Sequence, residues 1–175
     1  MRNLLLIFVV ISVLATGCGP MPAQITEQDT IAIYEAVIRQ VFLVDDTGGG
    51  MIEKPTVYIV RATDDSMSDP SMEQTASVIL SDTIQKAITN ELADLPTKVV
   101  WVDSFDQVEL NSDSTVRGGG VIFTLGNIKV ENSDKVLVSA SIYFASLGSG
   151  GKTYIVEKID GVWTVTGDTG VEWIS

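Results

Sequence analysis

Tyr154-Ile155-Val156-Glu157-Lys158-Ile159-Asp160-Gly161-Val162-Trp163-Thr164-Val165 is two alternating runs joined by Asp-Gly. A two-residue hairpin turn of this type needs positive φ at both central positions, which aspartate tolerates and glycine favours. The spacing therefore predicts a tight turn at Asp160-Gly161 with Ile159 and Val162 as its flanks. Side chains alternate between the faces of a strand, so Trp163 and Val165 share one face and Val162 and Thr164 the other. Burying the tryptophan removes more apolar area from water, so Trp163 and Val165 are expected to face the core and Thr164 the solvent.

Outward from this hairpin the β pattern continues towards the N-terminus. Strands are predicted at Val121–Val130, Lys135–Leu147, Lys152–Ile159 and Val162–Thr166. Their connections are Asn132-Ser133-Asp134, Gly148 to Gly151, and Asp160-Gly161. These strands read as an antiparallel meander, and Gly126 within the first suggests a bulge that bends it. Lys98–Val102 is a short strand, Gln107–Leu110 a possible further one, and Asn111 to Gly120 a polar loop.

Earlier still, residues 25 to 43 repeat apolar side chains at helical spacing: Ile31, Tyr34, Ile38, Val41 and Phe42. Thr26 with Asp29 three residues later has the pattern of a capping box. Asp45 to Gly50 is a glycine-rich loop, and Thr56–Thr63, rich in β-branched residues, a strand. After a loop at Asp64 to Ser71, a second helix starts at Asp69-Pro70 or at Ser71 with Gln74, and stops at Pro96. Its apolar stripe is Leu80, Ile84, Ala87, Ile88, Leu92 and Leu95. The expectation is a single α+β domain over 25–175, with two helices packed on a bent antiparallel sheet.

The order of helices followed by a long bent sheet, closing on Tyr154 to Val165, resembles the NTF2-like family. A cystatin-like fold, one helix gripped by a sheet, is the competing resemblance. The strand at Thr56–Thr63 departs from the NTF2-like order, because it separates the two helices. That family holds both enzymes and binding modules, and its enzymes usually rely on pocket histidine and aspartate.

Residues 1 to 18 decide where the domain sits. Met1 and Arg2 form a short basic start, Leu4 to Val13 an apolar run broken only by Ser12, and Leu14-Ala15-Thr16-Gly17 leads into Cys18. This layout is that of a secretory signal. With cysteine directly after the small residues it resembles the lipobox of a bacterial lipoprotein precursor, with Ala15 where leucine is commonest. The resemblance implies that residues 1–17 are a signal peptide cut before Cys18. It also implies that the Cys18 thiol carries the lipid and that 18–24 are a lipidated cysteine and short tether. The apolar run falls short of the ~20 residues of a spanning helix. The tether, Gly19 to Gln24, holds two prolines and no charge, and reaches ~20 Å at most. The implied location is the extracytoplasmic side of a cell membrane, inner or outer if the cell is Gram-negative.

Composition narrows the chemistry. Without its first 17 residues the 175-residue chain keeps 158, enough for one core. It then carries 10 Lys plus Arg against 23 Asp plus Glu, near −13, which argues against nucleic acid as partner. There is no histidine, and Cys18 is the only cysteine. Ser-His-Asp and Cys-His catalysis, zinc sites built on these residues and thiol redox work are excluded. Carboxylate acid/base chemistry, a Ser-Lys pair and oxygen-ligand calcium or magnesium stay open.

The remaining motifs assign no catalytic, cofactor or metal residue. Gly148-Ser149-Gly150-Gly151-Lys152-Thr153 lacks the first glycine of a phosphate-binding loop and precedes a strand, so it reads as a flexible turn. Asp64-Asp65-Ser66-Met67-Ser68-Asp69 clusters oxygens without the calcium-loop spacing and reads as a solvated cap. Asp103, Asp106 and Glu109 near Trp101 could set two carboxylates side by side. Trp101, Trp163 and Trp173 could line a cavity, or fill the core. Two functions remain. One is a non-catalytic module at the cell envelope, binding a small ligand or an envelope protein and held by its lipid anchor. The alternative is a carboxylate-dependent hydrolase or lyase with a pocket in the sheet. An open pocket holding a carboxylate of raised pKa favours the enzyme; a filled core with an exposed apolar patch favours the interaction protein.

Overall fold

The computed structural model describes residues 24–45, 53–69 and 76–175. Residues 1–23, and with them Cys18 and the signal and tether expectations, lie outside that set. The described chain is α+β: helix α1 (Glu27–Leu43), strand β1 (Thr56–Val60), helix α2 (Asp82–Glu91), β2 (Lys98–Val102), β3 (Val121–Asn132), β4 (Lys135–Ala145), β5 (Gly148–Ile159) and β6 (Val162–Ile174). Among the described residues no helix is long and apolar enough to cross a membrane.

All six strands form one sheet in the order β2-β1-β3-β4-β5-β6. It is mixed, which corrects the expectation of an antiparallel sheet. β3 to β6 pair antiparallel as expected, whereas β1 runs parallel to both β2 and β3. Parallel neighbours need a long crossover. The connection from Val60 to Lys98, which contains α2, supplies one, and residues 103–120 supply the other.

α1 starts where its capping box predicts. Thr26 Oγ1 accepts from the Asp29 amide at 3.1 Å, and Asp29 Oδ2 accepts from the Thr26 amide at 3.3 Å. All five residues of its expected stripe are buried, together with Ile33 and Val37. α2 starts later than expected. Ser81 is its N-cap, with its hydroxyl accepting from the Ile84 amide at 3.3 Å. Ala76 to Leu80 run extended instead: Ile79 bridges Ala62, and the Leu80 amide donates to Arg61 O. Leu80 is buried ahead of the helix rather than on its stripe. Residues 70–75, part of the expected helix start, lie outside the described set.

The closing hairpin has the expected turn, with φ of 51° at Asp160 and 85° at Gly161, and Ile159 pairs with Val162. Trp163 is buried, Val165 packs against the core and Thr164 is exposed. The register of β3 on β4 slips between Leu125 and Ile128, the bulge anticipated at Gly126. Several strand ends move: β1 stops at Val60 rather than Thr63, β3 runs on to Asn132 and β4 stops at Ala145. β6 extends past Thr166 to Ile174. β5 begins at Gly148, so the glycines read as a turn are strand, and the turn is at 146–147. The glycines serve packing here: a Cβ on Gly151 would overlap the Met67 carbonyl, which lies on that face of the sheet. Gln107–Leu110 is not a strand. Phe105–Gln107 is a 3-10 turn, and Leu110 makes one isolated bridge to Val116.

The main core lies between α1, α2 and one face of the sheet, where Phe123, Val138, Tyr154, Val156 and Trp163 meet the stripe of α1. A smaller cluster of Val60, Val108, Val116 and Ile122 fills the opposite face beneath residues 103–120.

Candidate functional site

Alternation along β5 places Lys152 and Tyr154 on the helix-covered face, since they pair with Ala140 and Val138 of β4. On the other side Lys152 pairs with Glu172 and Tyr154 with Asp168 of β6. α1 ends above them. Asp45, just beyond its last turn, is held by its amide donating to Gln40 O and by Gln40 Nε2 donating to its carboxylate at 2.8 Å. The result is a cleft of about 200 Å³ with Val41, Ala140 and Ile142 among its lining residues. It adjoins a recess of about 210 Å³ that shares Asp45 and Tyr154 and adds Gln40 and Asp168.

Lys152 Nζ sits among three carboxylates: Glu172 at 3.3 Å, Asp45 at 3.6 Å and Asp168 at 3.8 Å. Burial works against its charge, but Asp45, Glu172 and Asp168 outweigh burial and hold its pKa above the usual lysine value. The Tyr154 phenol is pushed up, first by burial, then by the charge and hydrogen bonding of Asp45. Neither group is poised for proton transfer near neutral pH, because the lysine stays charged and the phenol stays protonated. Ionised, the cluster carries two negative charges in excess over an apolar floor.

The residues singled out in the sequence do not converge here. Asp64 caps a 3-10 turn (Asp65–Met67), accepting from the Ser66 amide at 2.9 Å. Asp65 is buried under the sheet, accepting from the Asn127 amide at 2.7 Å, with Lys129 Nζ at 3.5 Å. Asp103 pairs with Arg61 and Glu109 with Arg117, each at 2.7 Å, so these carboxylates face separate guanidinium groups rather than each other; Asp106 is exposed on the 3-10 turn between them. The three indoles are spread apart. Trp101 donates to Thr89 Oγ1, Trp163 to Asp29 Oδ1, and Trp173 to Met67 O. Trp173 alone also lines the cleft.

Asp29 is the most strongly tied carboxylate. Hydrogen bonds from Thr26, then Trp163 and Lys158, hold its carboxyl well below the usual carboxylate range. Its role is structural, linking the start of α1 to the closing hairpin. No protein-family model, characterised protein or solved structure matches this chain.

Sequence reasoning missed Asp45, Lys152, Tyr154, Asp168 and Glu172. The one signal available was Lys152, a charged residue two positions before Tyr154 and so on the face that the apolar pattern assigns to the core.

Proposed function

We propose that this chain is a membrane-anchored bacterial lipoprotein whose single domain binds a ligand at the cell envelope without catalysis. The observation that carries the binding half is the cleft between the end of α1 and strands β5 and β6. It combines an apolar floor with a lysine outnumbered by carboxylates, and the ligand that fits it is a small molecule, or a side chain of an envelope protein, with an apolar body and a positive charge. A cation there is stabilised by the negative field of Asp45, Asp168 and Glu172. The absence of histidine and free thiol from the mature sequence supports a module rather than an enzyme. So does the charge state of Lys152 and Tyr154. The anchor half rests on the lipobox pattern ending at Cys18.

The NTF2-like reading belongs to the same proposal. Its support is α1 lying across the antiparallel strands β3 to β6, with a bulge at Gly126 and a cleft at one end. The parallel pair β1 and β2 is this chain's departure from that pattern, as it is from the cystatin-like one.

Calorimetric titration with n-butylamine, protonated at neutral pH, tests the binding half. Saturable binding that weakens severalfold in Asp45→Asn and in Glu172→Gln, at unchanged melting temperature, is the expected result. No saturable heat, or an affinity unchanged from the parent in both variants, overturns it.

A further inference from the structure

The antiparallel order of β3 to β6 puts the β3–β4 and β5–β6 turns at one end of the sheet and the β4–β5 turn at the other. Two contacts bring the start of α1 to the first end: Lys158 Nζ and the Trp163 indole both donate to Asp29 Oδ1. The chain therefore enters the domain at the end that carries these two turns.

That end exposes the acidic turn residues Glu131, Asp134 and Asp160, and beside them an apolar surface. A groove of about 410 Å³ opens beside Ile25, lined by Tyr34, Ile79, Ile84, Ile128 and Val130. Ile79 is 57% exposed, Val78 and Val130 are also exposed at its rim, and Val162 at the hairpin turn is 64% exposed. Patches of this kind mark contact surfaces.

We infer that this end is a membrane-facing surface, seated on the headgroup and acyl boundary of the bilayer. The inference rests on the anchor at Cys18. Residues 19–24 span ~20 Å at most, so the face next to Ile25 is the one held against lipid. The contact is apolar rather than electrostatic, because a mature charge near −13 repels anionic headgroups. Shallow insertion of a few aliphatic side chains adds to acyl anchoring and sets orientation. It points the opposite end, with the β4–β5 turn, the end of α1 and the cleft, away from the membrane.

The test uses the lipoprotein purified from its own membranes. Ile79→Cys, Val162→Cys and Leu147→Cys are each labelled with a thiol-reactive nitrobenzoxadiazole, Leu147 being the 88% exposed residue of the far turn. Each is placed in phosphatidylcholine vesicles with and without nitroxide lipid, and its melt is compared with the parent. A lipidated Cys18 takes no label, so one label per chain is expected, with quenching at positions 79 and 162 severalfold above that at 147. One label with equal quenching at all three, or strongest quenching at 147, overturns the membrane-facing surface and leaves the anchor standing. Two labels, one on Cys18, overturn the anchor and the inference together.

Discussion

Asp29 ties three pieces of the chain with one carboxylate. It closes the capping box with Thr26 and accepts from Lys158 Nζ at 2.9 Å and Trp163 Nε1 at 2.8 Å. Its folded pKa is depressed, so it contributes stability that is fully present above the unfolded value of about 3.9. That contribution is lost as pH falls below it towards the folded value. Asp29→Asn should therefore lower stability at pH 7 and flatten its decline below pH ~4. Urea melts across that range measure both; a parallel downward shift with the acid limb intact would contradict the ion-pair account. Trp163 tests the facing of the same hairpin. Trp163→Ala removes a core aromatic and should cost about 3–5 kcal/mol. Thr164→Ala, on the solvent side, should cost well under about 1 kcal/mol. Equal costs in denaturant melts would refute the assignment of faces.

Strands β3 to β6 were legible because their signals are local. Asp160-Gly161 specifies its turn, Gly126 its bulge, and the Thr26–Asp29 spacing its cap. The pairing direction of β1 was not legible. Thr56-Val57-Tyr58-Ile59-Val60 is a short apolar run that suits a parallel or an antiparallel partner equally. The start of α2 was misplaced because Ser71 with Gln74 matches a cap as well as Ser81 does, and only the bridge of Ile79 to Ala62 decides between them. Gly148 to Gly151 was misread because glycine marks turns and close approaches alike. Gly151 is of the second kind, and Gly151→Ala should cost roughly 1–3 kcal/mol by forcing the Met67 carbonyl off the sheet. Gly167→Ala, where a Cβ meets nothing within 4 Å, should be within about 0.5 kcal/mol of neutral. Thermal melts compare the two; similar midpoints would mean that the 3-10 turn at Asp65–Met67 yields without cost.

At the scale of the whole molecule, the proposed tether, the apolar groove beside Ile25 and the charged cleft at the far end form one arrangement. The cleft was illegible in the sequence because Asp45 at the end of α1 lies more than 100 positions from Lys152, Asp168 and Glu172 of β5 and β6. No local spacing links Asp45 to Glu172; the sheet register and the last turn of α1 do. The proposed orientation requires that the chain be cut before Cys18 and held there by lipid. Intact-mass measurement of the protein extracted from its own membranes tests this most directly. The account predicts a chain that begins at Cys18 and carries the added mass of a diacylglyceryl group. A chain that retains residues 1–17, or one that begins at an unmodified Cys18, would contradict it.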